Sequence, residues 1–145
     1  MTASSSSGHL PSYTKYGIFM SNEGALKLLN FVGSSREDLR EFPDEVKQDI
    51  GYALFEAQQG QKSEAAKPLK GFGGAGVLEI IERFDGDTYR AIYTVKFREA
   101  IYVLHCFQKK AKSGIKTPQQ DLDLIRQRLR SAEEDYQATR GREAT

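Results

Sequence analysis

The stretch Val77-Leu78-Glu79-Ile80-Ile81-Glu82-Arg83-Phe84, the turn Asp85-Gly86-Asp87, and the run Tyr89-Arg90-Ala91-Ile92-Tyr93-Thr94-Val95-Lys96-Phe97 together decide the fold. Two runs rich in β-branched and aromatic residues flank an Asp-Gly pair, the strongest short-range signal for a tight β-hairpin. A third run, Ile101 to Gln108, follows the short turn Arg98-Glu99-Ala100. Three strands joined by tight turns make an antiparallel meander. In the middle strand, alternation puts Tyr89, Ala91, Tyr93, Val95 and Phe97 on one face and Arg90, Ile92, Thr94 and Lys96 on the other. The first row reads as core. The second reads as a half-polar surface with two cations and no acid. In the third strand Ile101, Val103, His105, Phe107 and Lys109 alternate with Tyr102, Leu104, Cys106, Gln108 and Lys110. Both rows start apolar and end in lysine, so this strand is expected to run buried and emerge at Gln108-Lys109-Lys110.

Upstream of the meander, Leu26 to Val32 reads as a strand stopped by Gly33. Ser34 and Glu37, or Ser35 and Asp38, have capping-box spacing and open a short helix to about Phe42. Pro43 suits the first turn of a second helix, with Asp44 and Glu45 beside the positive end of its dipole. Val46, Ile50, Ala53, Leu54 and Ala57 fall at helical spacing, and Gly60 is the stop. Gln61 to Lys67 is a polar connection, and Pro68 to Gly76 a turn-rich one. Downstream, Thr117 as N-cap, Pro118 at the first helical position and Gln120 as capping partner open a last helix to about Tyr136, with Leu122, Ile125 and Leu129 on its apolar face. The order β-α-α-β-β-β-α predicts an α+β domain, a small antiparallel sheet with helices packed on one face. Residues 1–22, with the run Ser4 to Ser7, read as a disordered tail, 23–137 as the domain and 138–145 as a frayed tail; Met20 offers an alternative start.

Composition narrows the function. The chain has 145 residues, 39% hydrophobic and 28% charged, as in an ordinary globular domain. Its apolar runs are too short for a membrane span. One cysteine, Cys106, and two histidines make a protein-only zinc site improbable, and a reducing, cytoplasmic setting fits. The net charge of +1 hides a strong asymmetry. From Gly33 to Ala66 eight acids oppose four bases, whereas from Thr88 to Gln120 seven bases accompany the single acid Glu99. A basic face attracts phosphate polyanions, and a solvated surface with chance clustering is the competing reading. Clustered lysines suit proton transfer as well as phosphate binding. The loop Gly71-Phe72-Gly73-Gly74-Ala75-Gly76 lacks the Gly-Lys-Ser/Thr ending of a P-loop and precedes a strand, so it reads as a turn-rich connection. Cys106 reads as a small buried hydrophobe and His105 as interior-facing, with proton carriage the minority reading.

At Lys67-Pro68-Leu69-Lys70-Gly71, Val77-Leu78-Glu79-Ile80, Tyr89-Arg90-Ala91-Ile92-Tyr93, and Phe107-Gln108-Lys109-Lys110 through Lys116-Thr117-Pro118, the chain resembles the RelE/ParE superfamily of type II toxins, most of all its phage-associated, HigB-like branch. The resemblance spans about Ala25 to Tyr136. It implies a RelE-like fold with a curved antiparallel sheet. It also implies a metal-independent endoribonuclease that cuts messenger RNA on the ribosome, without a cofactor. The implied partners are messenger RNA on the ribosome and a helix-turn-helix antitoxin, with operator DNA reached only through that antitoxin and no membrane. Arg90 matches the strand arginine that contacts the scissile phosphate. Lys109 or Lys110, with Lys110 preferred, matches the second catalytic cation. Lys67, Lys70, Lys96, Lys112 and Lys116 are the expected RNA-binding lysines. Glu79 and Glu82 stand where relatives carry lysines on the first meander strand, so the usual lysine base is absent there. Two alternatives follow: a gyrase-poisoning or other protein-binding toxin without nuclease activity, or a degenerate toxin acting only with its antitoxin.

Overall fold

A computed structural model describes residues 12–13, 19–20, 26–109 and 117–144. In chain order its elements are β1 (Ser12–Tyr13), β2 (Phe19–Met20), β3 (Leu28–Phe31), α1 (Ser35–Arg40), α2 (Asp44–Gln58), β4 (Ala66–Pro68), β5 (Val77–Phe84), β6 (Asp87–Thr94), β7 (Ala100–Lys109) and α3 (Gln119–Ala144). β1 and β2 pair antiparallel within the stretch read as a tail. The other strands form one five-stranded sheet in the order β3-β7-β6-β5-β4. β3 runs parallel to β7, and every other neighbouring pair is antiparallel. The mixed α+β class read from the sequence therefore holds.

The hairpin at the centre forms for the expected reason. Asp85 and Gly86 have φ of 53° and 84°, the doubly left-handed turn that matches strand twist. Its register pairs Ile80 with Ala91 and Ile81 with Arg90. α2 buries Val46, Ile50, Ala53, Leu54 and Ala57, all five of the residues named by periodicity. These pack on Ile80, Ala91, Tyr93, Ile101 and Val103. Burying each aliphatic side chain of this kind is worth roughly 1.5–3 kcal/mol before entropy is counted.

Four particulars differ from the sequence reading. First, helices cover both sheet faces, not one. α3 sets Ile125, Leu129 and Ala132 against Ile92, Leu104 and Tyr102 on the face opposite α2. The row Arg90, Ile92, Thr94 is consequently buried, at 2%, 0% and 0% exposure, and is no solvated surface. Second, the polar connection before Pro68 contributes the edge strand β4, paired to β5 at Ala66–Ile80, Lys67–Glu79 and Pro68–Leu78. Proline is tolerated there because an edge strand leaves one side of its backbone unpaired. Third, β7 carries a bulge. Ile92 pairs with His105 while Tyr93 pairs with Val103, so Leu104 is an extra residue. The bulge shifts the alternation: Cys106, opposite Ala91, joins the α2 face, while His105 and Phe107, opposite Ile92 and Arg90, join the α3 face. Fourth, α3 continues to Ala144 through the stretch read as a frayed tail. Gln137, Ala138 and Arg140 are good helix formers, and a lone Gly141 does not stop them.

Cap chemistry also departs from expectation. Ser34 is the N-cap of α1, but its hydroxyl donates to the Asp38 carboxylate at 2.8 Å and caps no backbone N–H. Ser35, fully buried, donates to the Val103 carbonyl at 3.1 Å and ties α1 to β7. Gly33, at φ +59°, lies so close to Arg128 that an added Cβ would meet the guanidinium at 2.8 Å. Arg128 passes that backbone to donate to the Leu104 carbonyl at 2.9 Å, which clamps α3 across the end of the sheet.

Candidate functional site

Arg90 is the one arginine of the central strand, and its register fixes its surroundings. It pairs with Ile81 on β5 and Phe107 on β7. Glu79 lies two residues along β5 on the same face, a diagonal cross-strand neighbour. Arg90 Nη1 donates to Glu79 Oε2 at 3.2 Å and to the Thr117 hydroxyl at 3.1 Å. The two charged side chains are only 3% and 8% exposed. A buried charge is tolerable when paired and hydrogen-bonded, and this pair satisfies both conditions. Thr117, expected as a cap for α3, lends its hydroxyl oxygen to Arg90. The helix begins at Gln119, with the Pro118 carbonyl accepting from Leu122 N–H.

In front of this pair lies a cleft of about 350 Å³ between β4, β5 and the start of α3. Lys67 and Lys70 line it and are exposed, Pro68, Leu69 and Leu122 supply apolar walls, and Glu79 and Thr117 supply its polar atoms. The turn-rich segment beside it is held against α3 by Arg126, whose guanidinium stacks 4.9 Å from the Phe72 ring centroid. A helix N-terminus, two exposed cations and a buried arginine within one region form an electropositive setting that suits a phosphate. Glu79 moderates that field at its centre.

Of the residues expected in the site, the cleft brings together Lys67 and Lys70; Arg90 does not line it and is buried, bonded to the two lining side chains Glu79 and Thr117. Lys109 ends β7 opposite Thr88. Lys96 forms an ion pair with Glu133 of α3 and lies 5.9 Å from the Phe97 ring centroid, so its charge is shared with a carboxylate. Lys110, Lys112 and Lys116 lie outside the described residues. The sequence reading named Glu79 only as a departure and named neither Leu122 nor the Thr117–Arg90 bond as part of a site. A signal for the Glu79–Arg90 pair was present, because a two-residue turn at Asp85-Gly86 fixes the hairpin register and puts both on one face.

Nearby, His105 Nε2 and Asp121 Oδ1 are 2.7 Å apart, and the imidazole stacks on Phe107 at 4.6 Å between centroids. His105 Nδ1 is buried with no partner among the described residues. This contact ties the first turn of α3 to β7. Burial pushes the Cys106 thiol up to about 12, with Asp38 adding and Arg128 opposing, so it holds its proton and is a poor nucleophile. Among the described residues no group of three or more His, Cys, Asp or Glu could hold a metal ion. Among the same residues no helix is long and apolar enough to cross a membrane.

Comparison with known proteins gives a family match and a set of fold likenesses. Residues 37–130 match the profile of the family described as "Phage derived protein Gp49-like (DUF891)", more than half of the chain. No curated protein matches the sequence. Among solved structures, the isolated RelE toxin of E. coli is 24% identical, with a TM-score of 0.46 over 61% of this chain and 87% of that one. A double arginine-to-alanine mutant of E. coli RelE in the free state is 22% identical, with a TM-score of 0.45 over 60% and 85%. The RelBE2 toxin–antitoxin complex of Mycobacterium tuberculosis is 20% identical, with a TM-score of 0.40 over 61% and 95%.

Proposed function

This chain belongs to the phage-derived Gp49-like family, and from that premise we propose that it is the toxin of a type II toxin–antitoxin pair, a cytoplasmic endoribonuclease that cuts messenger RNA on the ribosome. The observation that carries the reading is the cleft at the start of α3, lined by exposed Lys67 and Lys70 and by Glu79 and Thr117, the two side chains that hold the buried Arg90. In the proposed reaction the RNA 2′-hydroxyl attacks the adjacent phosphorus, a 2′,3′-cyclic phosphate forms and the 5′-oxygen leaves with a proton. Cationic side chains stabilise the charge that develops on the phosphoryl oxygens. Arg90 is the proposed phosphate contact, Lys110 or Lys109 the second cation, and Lys67, Lys70, Lys96, Lys112 and Lys116 the electrostatic track for the strand. A phosphate reaching Arg90 must compete with Glu79 for Nη1. The proposed partner is a helix-turn-helix antitoxin that neutralises the toxin and carries it to operator DNA.

One observation favours a second reading. Arg90 is already paired with an acid inside the fold, and a strand arginine so engaged serves structure without any reaction. On that reading the protein is a toxin that binds a protein target such as gyrase, or a degenerate toxin that acts only with its antitoxin. Induced expression with mapping of messenger-RNA 5′ ends and of double-strand DNA breaks separates the two. Cuts within coding regions, lost on Arg90→Lys at equal protein level, support the nuclease. Intact messages with DNA breaks overturn it in favour of the second reading.

A further inference from the structure

The cleft contains one feature that a phosphate site does not call for. A carboxylate repels phosphate, yet Glu79 stands inside a cleft flanked by lysines, 6% exposed and held by Arg90. Its Oε2 takes the Arg90 bond, the one side-chain hydrogen bond Glu79 makes among the described residues. The walls beside it are Pro68, Leu69 and Leu122, a surface suited to a flat apolar ring face. A volume of about 350 Å³ falls in the range of small-ligand sites.

We infer that this cleft is a nucleobase pocket selective for guanine, in which Glu79 reads the base edge while Lys67 and Lys70 hold the neighbouring phosphate. The inference rests on RNA being the substrate. A carboxylate is purely an acceptor, with about four lone-pair sites on its two oxygens, so capacity remains after Arg90 is served. Among the four bases, guanine alone presents two adjacent donors, N1–H and an N2 amino hydrogen, on its Watson–Crick edge. Adenine and cytosine present one donor beside a ring acceptor, and the single N–H of uracil lies between two carbonyls. Each of those acceptors faces the carboxylate unfavourably. Proteins read single-stranded RNA on these edges, with the ring packed on side chains. Arg90, bonded to both Glu79 and Thr117, fixes the orientation of the reading group, and the two lysines reach the backbone from β4 and the loop after it.

The test uses the full-length protein, isotope-labelled, and the four nucleoside 3′-monophosphates added one at a time. NMR shifts of Leu69, Glu79, Thr117 and Leu122 report the site. Guanosine 3′-monophosphate is expected to bind about tenfold or more tightly than the other three, the discrimination a two-pronged base contact supplies. Glu79→Gln offers one donor and one acceptor, and is expected to lose the guanine preference and favour adenine. If that variant unfolds once Arg90 loses its partner, the wild-type comparison decides alone. Equal binding of the four nucleotides, or guanine-induced shifts confined to other residues, overturns the inference. Cut-site mapping in cells separates it from the nuclease reading. Cleaved messages with no guanine enriched beside the cut overturn the pocket and leave the nuclease standing. Uncut messages with guanine-selective binding overturn the nuclease and support the pocket.

Discussion

Replacing Arg90 with methionine, which keeps the chain length and removes the charge, is expected to destabilise the fold by about 3–5 kcal/mol. The reasoning starts from the 3.2 Å separation between Nη1 and Oε2. At an effective dielectric of about 20, attraction at that distance is about 5 kcal/mol. Desolvating the two ions cancels much of it, so the pair as a unit contributes little net stability. The single substitution is costly for a different reason: it leaves Glu79 buried without its cation, and Thr117 without its donor. Adding Glu79→Leu removes the orphaned carboxylate and should restore most of the loss. Urea unfolding of the wild type, both single variants and the double variant closes the cycle. With slopes of about 1–3 kcal/mol per molar, the Arg90→Met midpoint should fall by roughly 1–5 M. A loss under about 1 kcal/mol for Arg90→Met, or a double variant less stable than Arg90→Met alone, would refute the buried-pair argument. The cycle also guards the functional test, because an Arg90 variant that loses toxicity by unfolding says nothing about catalysis.

The remaining expectations concern charge and reactivity. Lys67→Ala and Lys70→Ala should each reduce the salt dependence of single-stranded RNA binding by about 0.7 in the log–log slope, with stability unchanged because both side chains are exposed; unchanged slopes would remove β4 and the loop after it from the RNA path. Glu82 has its ionisation raised above the ordinary 4.5, first by burial, then by the charge of Asp49, by its hydrogen bond to Asp49 and by Glu45. The folded state therefore holds that proton more tightly, and ionising Glu82 costs stability as pH rises through its raised value. Glu82→Gln should stabilise the protein at pH 7 by under about 1 kcal/mol, with the gain vanishing below pH 4.5, as read from thermal unfolding across pH. Cys106, buried and with its thiol pushed up to about 12, should resist an aromatic disulfide reagent at pH 8 in the native protein and react fully in urea.

Much of the fold was legible because its signals are local. The Asp85-Gly86 turn selects a hairpin by backbone conformation alone, and the flanking β-branched residues extend it. Val46, Ile50, Ala53, Leu54 and Ala57 mark a buried helical stripe whatever it packs against. β4 was invisible because three residues with a proline carry no periodic signal, and only pairing to Val77–Phe84 makes them a strand. The bulge at Leu104 was invisible because nothing in the sequence breaks the alternation of Ala100–Lys109; the extra residue is absorbed only when β7 is laid against β6.

The candidate site divides the same way. The sequence by itself determined that cations gather on the meander and its exit, that Arg90 stands on the strand face of Ile92 and Thr94, and that a helix starts near Pro118. Each follows from residue order, turn length and period. Tertiary structure alone decided that this face lies under α3, so that Arg90 is buried and paired while Lys67 and Lys70 remain exposed. The physical reason lies in the helix that covers the face. Alternation gives the side on which a residue stands, but an element some thirty residues downstream decides whether that side meets water. Once Ile125 and Leu129 are packed against Ile92 and Leu104, a charge at position 90 can be accommodated only with a carboxylate beside it.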